Sequence, residues 1–309
     1  MELMSATGTL AMKNRFVFPT PRIGDNQDTM SNVDSVPHLL FHKGCQLHYW
    51  VSGPRSAPLI VLTHGEGANH HSFDAQVQVL TSSYRVLTWD IRGHGQSTSE
   101  QVFTLEQAVD DLHAILTHEG CQDALLVGVS VGGLIAQLFA SRFPDFVHGL
   151  ALLSCTPLNA ALPSWNRFVD QLSTNLLSAL PYWFIMAQMP AYLSIRPEVQ
   201  KYTVDAMKES GRENFLAAWQ ANAQISAIPL NQNLPHPLFV AFGAYDHSHW
   251  ITRATALWSQ SNPDVRIVTV PGAGHSITQD NPAYTTKMLE KFFRQCVRER
   301  RQLFSLTSN

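Results

Sequence analysis

Ala124-Leu125-Leu126-Val127-Gly128-Val129-Ser130-Val131-Gly132-Gly133-Leu134 decides how the rest of this chain is read. Its first four residues form a short continuous apolar run, the pattern of a strand buried on both faces of a parallel sheet. The run passes without a polar break into Gly128-Val129-Ser130-Val131-Gly132, and the apolar segment that follows, through Ala140, predicts a helix. A serine between two glycines at a strand-to-helix junction has a steric logic. The turn is tight and strained, the glycines let helix and strand approach closely, and the hydroxyl is held clear of the sheet. The helix N-terminus adds amide groups and partial positive charge beside that oxygen. The spacing is not G-x-G-x-x-G, which disfavours a dinucleotide site. Ser130 is the expected nucleophile.

Outward from this turn, apolar runs recur between turn residues. Leu39-Leu40-Phe41 and Leu47 to Val51 flank Lys43-Gly44 and predict a hairpin. Leu59–Leu62, Arg85–Trp89, Gly149–Leu153, Leu238–Phe242 and Val265–Val270 predict further strands. Thr104 to His118 predicts a helix, with a capping box at Thr104-Leu105-Glu106-Gln107 and a stop at Gly120. The last helix is expected from Asn281-Pro282. Between 159 and 235 the texture changes to helical segments rich in Trp, Tyr, Phe and Met with several Pro breaks. Strand–helix alternation argues for an α/β fold: a mainly parallel, eight-stranded sheet with helices on both faces. The altered stretch reads as a helical cap inserted after the sixth sheet element. The expected divisions are a poorly ordered arm at 1–37, core segments 38–158 and 236–300, the cap at 159–235 and a tail at 301–309.

Three further loops supply partners for Ser130. Gly272-Ala273-Gly274-His275-Ser276 follows the last predicted strand, and its small residues leave the loop free to carry an imidazole over the serine. His275 is the expected general base. Asp246, just beyond the strand ending at Phe242, is the expected acid that orients it, giving the chain order Ser–Asp–His. Thr63-His64-Gly65-Glu66-Gly67 follows the strand ending at Leu62. Acyl transfer builds negative charge on the carbonyl oxygen, so two N–H donors should face it. The backbone N–H groups of Glu66 and Val131 are expected in that role. The Glu66 side chain is expected to turn outward, since a carboxylate would repel the oxyanion, and His64 is expected to brace the loop.

Bulk properties limit the alternatives. The 309 residues are 45% hydrophobic, with a formal net charge of −3 and a pI near 6.5. That suits one large α/β domain with an insertion and argues against nucleic-acid binding. The short Arg298–Arg301 run reads as a solvated helix end. Four dispersed cysteines form neither a CxxC pair nor a dense framework, which points to a reduced, cytoplasmic setting. No run is apolar enough to span a bilayer, so no stable membrane insertion is expected. His70/His71 and His247/His249 lack a third ligand at evident spacing, and no metal or other cofactor is expected.

Taken in order, these elements resemble the α/β-hydrolase superfamily over about residues 38–300. Asp90-Ile91-Arg92-Gly93-His94-Gly95-Gln96-Ser97 is similar to that family's D-x-R-G-x-G-x-S turn. The stretch from His64 to Asp74 is similar to a segment of the branch that holds 3-oxoadipate enol-lactonases, small-ester hydrolases and cofactor-free perhydrolases. Many members of that branch carry an apolar residue where this chain has Glu66. Trp165 resembles a cap tryptophan that lines the enol-lactonase pocket. Trp165, Trp183 and Trp219 are expected to line an apolar pocket here. The resemblance implies a serine hydrolase of a small, largely apolar ester or lactone, acting as monomer or homodimer. C–C bond hydrolysis of a diketone is the alternative enzymatic reading, and a ligand receptor on the same fold the non-enzymatic one.

Overall fold

A computed structural model describes residues 35–158, 164–223, 234, 237–246, 249–262 and 265–307. The expected arm, except its last residues, and both ends of the expected cap lie outside the described residues.

The chain opens with a hairpin, β1 (Val36–His42) and β2 (Cys45–Ser52). Its two-residue turn has positive φ at both Lys43 (44°) and Gly44 (72°), the twist that antiparallel strands accept. β3 (Leu59–Thr63), helix α1 (Asp74–Leu80), β4 (Arg85–Trp89), the two-residue β5 (Thr98–Ser99) and α2 (Leu105–His118) follow. The capping box is present: the Thr104 side chain accepts from the Gln107 N–H. Then come β6 (Ala124–Val129), α3 (Val131–Arg142) and β7 (Val147–Leu153). Helices α4 (Ser164–Ala179), α5 (Tyr182–Leu193) and α6 (Pro197–Ala223) occupy the stretch read as a cap, α6 breaking at Gly211, where φ is 71°. β8 (Leu238–Gly243), α7 (His249–Ser261), β9 (Arg266–Val270), the single-turn α8 (Ile277–Asp280) and α9 (Pro282–Thr307) complete the order.

The sheet runs β1-β2-β4-β3-β6-β7-β8-β9, with β5 paired to β2. β1, β2 and β5 pair antiparallel, as do β2 and β4, and every pairing from β4 to β9 is parallel. The mainly parallel sheet read from the sequence is therefore present, eight strands along one path plus the short β5.

Side chains alternate across a strand, so each central strand feeds two cores. Leu59 and Val61 of β3, Ala124 and Leu126 of β6, and Val240 and Phe242 of β8 pack with Leu112, Ile115, Phe139 and Trp258 on one face. Ile60, Leu62, Leu125, Val127, Phe239 and Ala241 pack with Leu80, Leu289, Phe292 and Phe293 on the other. This two-sided burial is why these strands read as unbroken apolar runs. α3 is buried from Val131 through Ala140, which explains its apolar composition all round. The helices α5 and α6 form a third small core around Ile185, Met189, Met207 and Phe215. No helix among the described residues is long and apolar enough to cross a membrane.

Candidate active site

Four parallel strands end at the same edge of the sheet, and each is followed within five residues by a candidate side chain: Glu66 after β3, Ser130 after β6, Asp246 after β8 and His275 after β9. Ligand sites of open parallel sheets collect at this carboxyl edge.

Ser130 has φ 52° and ψ −120°, a strained conformation for a residue with a side chain. The flanking glycines make the turn possible by close approach. A Cβ on Gly128 would lie 2.2 Å from the Gly132 carbonyl oxygen, and one on Gly132 would lie 2.4 Å from those of Thr63 and His64.

The His275 ring is paired through Nδ1 with Asp246 Oδ2 at 2.8 Å. With Nδ1 donating, Nε2 carries the lone pair, and this buried nitrogen has no hydrogen-bond partner among the described residues. Burial is the largest influence on the imidazole and pushes its pKa down. The charge and hydrogen bond of Asp246, then the charges of Glu66 and Asp280, outweigh it and leave the pKa raised. The loop is held from three sides. The Ser154 hydroxyl donates to the His275 carbonyl at 2.8 Å. The Ser276 N–H donates to the Leu193 carbonyl at 2.9 Å. Asp280 accepts from the Gly274 N–H at 2.7 Å and from the Ser194 hydroxyl.

His64 is a bracing residue. Its Nδ1 donates to the Gly65 carbonyl at 2.7 Å and its Nε2 accepts from the Ile91 N–H at 3.1 Å. Full burial drives its pKa down to about 4, so the ring is neutral. The neighbouring turn is anchored the same way. Asp90 accepts from the His70 and Gln96 N–H groups, and the buried Arg92 donates to both oxygens of Asp111 at 2.6 and 2.7 Å.

Glu66 departs from expectation. Its side chain does not turn outward: the residue is 7% exposed. Its carboxylate accepts from the Ser130 hydroxyl at 3.2 Å and lies 3.5 Å from the Val131 N–H. The loop from Thr63 to Gly67 is buried at every residue, so no solvent-facing path is open to the side chain. The hydroxyl of Ser130 and the amide of Val131 are the donors within its reach. The carboxylate thus rests where the sequence predicts an oxyanion.

Ser130, His275 and Glu66 line one small cleft of about 40 Å³, together with Tyr202 and Thr203 of α6 and Leu193 of α5. Of the predicted tryptophans, Trp183 and Trp219 do not line it. Trp183 is 67% exposed, because the buried row of α5 is Ile185, Met189 and Leu193 and residue 183 falls off that face. Trp219 stacks on Phe215 within the small helical core, ring centroids 6.2 Å apart. The side chain of Trp165 lies outside the described residues. The roles of Tyr202, Thr203 and Asp280 carry no motif in the sequence and were not anticipated.

Comparison with known proteins places this architecture. Residues 60–286 match the model of the alpha/beta hydrolase family. The chain belongs to that family. The hydrolase is 37% identical over 228 residues to 3-oxoadipate enol-lactonase 1 of Acinetobacter baylyi, a match covering 72% of this chain and 84% of that protein. It is 36% identical over 118 residues to proline iminopeptidase PfmaB of Pestalotiopsis fici, covering 37% of this chain and 42% of that relative. Among solved structures it superposes on a malate-bound thermophilic esterase from Thermogutta terrifontis with a TM-score of 0.71 at 22% identity, covering 85% of this chain and 99% of that one. At that identity the likeness speaks to the fold.

Proposed function

We propose that this hydrolase cleaves a small carboxylic ester or lactone through an acyl-enzyme on Ser130. The observation that carries the reading is the His275–Asp246 pair at 2.8 Å, with the unpartnered Nε2 of His275 and the Ser130 hydroxyl on the wall of one cleft. In the proposed first step Ser130 Oγ attacks the carbonyl carbon and its proton passes to His275 Nε2. Asp246 accepts the Nδ1–H throughout, holding the tautomer and stabilising the imidazolium. The developing oxyanion takes the N–H groups of Val131 and Glu66, once the carbonyl oxygen has displaced the Glu66 carboxylate from Val131. Collapse breaks the bond to the leaving alkoxide, which takes the proton from His275. Water then repeats the sequence and releases the acid.

The reading is supported by the strained backbone of Ser130, by the carboxyl-edge origin of all four loops and by family membership. A fluorophosphonate probe tests it. Covalent label on Ser130, with loss of both label and esterase turnover in Ser130→Ala, is the expected result. An unlabelled Ser130, or near-wild-type turnover in the variant, overturns it.

A further inference from the structure

A buried carboxylate in a substrate cleft needs a reason, because burying a charge without a counter-ion is costly. Glu66 has two neutral donors, the Ser130 hydroxyl and the Val131 N–H, and no ion pair among the described residues. Among the described residues no arginine or lysine lines the cleft. His275, the one basic side chain on its wall among them, is already engaged by Asp246. Asp280 stands behind the same loop, bound to the Gly274 N–H. The charges of Asp246, Glu66 and Asp280 each raise the proton affinity of that imidazole.

The geometry also says where a balancing charge would sit. The Val131 contact, at 3.5 Å, is at the outer limit of a hydrogen bond and is readily given up to a substrate carbonyl oxygen. The carboxylate is 3.2 Å from Ser130 Oγ, the atom that attacks the carbonyl carbon. A substituent on the carbon next to that carbonyl is two bonds from the point of attack, within ion-pair reach of Glu66. Resting on the acyl-enzyme reading above, we propose that Glu66 is a specificity residue that selects acyl groups bearing a cationic nitrogen beside the scissile carbonyl. An anionic group at the same place meets the like charge of Glu66.

Two small boronic acids test this without turnover. In (1-aminoethyl)boronic acid and isopropylboronic acid the boron stands for the carbonyl carbon, and an ammonium in one replaces a methyl in the other. Ser130 Oγ donates an electron pair to the trigonal boron, its proton passes to His275, and no group leaves. Dissociation constants by calorimetry, with tetrahedral boron read by ¹¹B NMR, are compared in the wild-type chain and in Glu66→Gln. The wild-type preference for the aminoboronic acid over isopropylboronic acid is expected to exceed the preference shown by Glu66→Gln by ~10-fold or more. The affinity ratio within one preparation is independent of its folded fraction. Equal affinities in the wild type, or the same preference in Glu66→Gln as in the wild type, overturn charge selection and leave the serine hydrolase reading standing. No tetrahedral boron in the wild type, or an adduct that persists in Ser130→Ala, overturns both.

Discussion

Replacing Asp246 by asparagine is the sharpest test of how the proposed base works. The Asp246 carboxylate is almost wholly buried and accepts the His275 Nδ1–H at 2.8 Å. An asparagine amide has nearly the same shape, so the loop and the ring position should persist. Its NH₂ can turn toward Nδ1, however, and Nδ1 then becomes the acceptor. The ring proton moves to Nε2, the nitrogen that must take the serine proton, and the compensating carboxylate charge is lost as well. The expected fall in kcat is about 10⁴-fold, or roughly 5.5 kcal/mol of transition-state stabilisation. Turnover of a short-chain ester measures it, with the melting temperature recorded alongside to establish that the fold is kept. Fluorophosphonate labelling of Ser130 should slow in parallel, since it uses the same proton transfer. A variant that retains kcat within about tenfold of wild type would refute the assignment of Asp246 as the orienting acid.

The raised pKa of His275 places the acid limb of the kcat/KM profile above the ordinary value of about 6.5, and Glu66→Gln should move it down. Because the folded state holds that proton more tightly, the His275 contribution to stability is full below about pH 6.5 and is lost as pH rises through the folded value. Activity, which needs the neutral ring, climbs over the same window; a pH profile of kcat/KM and of melting temperature reads both signs. Asp111→Ala leaves the buried Arg92 guanidinium without its carboxylate and also removes the partner of His42 Nδ1. It should cost about 3–5 kcal/mol, seen as a fall of roughly 6–15 °C in melting temperature; a shift within ~2 °C would remove the pair from the stability argument. Product analysis on an ester, a lactone and a diketone panel should find the acid from the first two only. Carbon–carbon cleavage as the fastest reaction would favour the alternative chemistry.

How far the sequence could be read depended on whether a feature is local. The buried strands were legible because a strand covered on both faces must be apolar at every position, as Leu59–Leu62 and Ala124–Val127 are. The nucleophile turn was legible because its glycines are demanded by contacts of 2.2 and 2.4 Å with backbone, which no other residue tolerates. The Thr104 cap and the Lys43-Gly44 turn are likewise settled within a few residues. Trp183 and Trp219 stand off the cleft because aromatic composition says nothing about which helix face turns inward. Trp183 lies off the buried row of α5 by its angular position alone.

The side-chain direction of Glu66 belongs to the same class. Electrostatics taken alone argued for an outward carboxylate, whereas a loop buried from Thr63 to Gly67 leaves only the Ser130 hydroxyl and the Val131 amide within reach. The amino-acid order by itself determined the strands, their mainly parallel pairing and the residue types at the carboxyl edge, since these rest on periodicity and on steric limits of the backbone. Tertiary structure alone decided that α5 and α6 present Leu193, Tyr202 and Thr203 to the cleft, that Asp280 secures the His275 loop, and that the Glu66 carboxylate turns onto Ser130. Those outcomes depend on distances between segments far apart in the chain, and no local pattern encodes them.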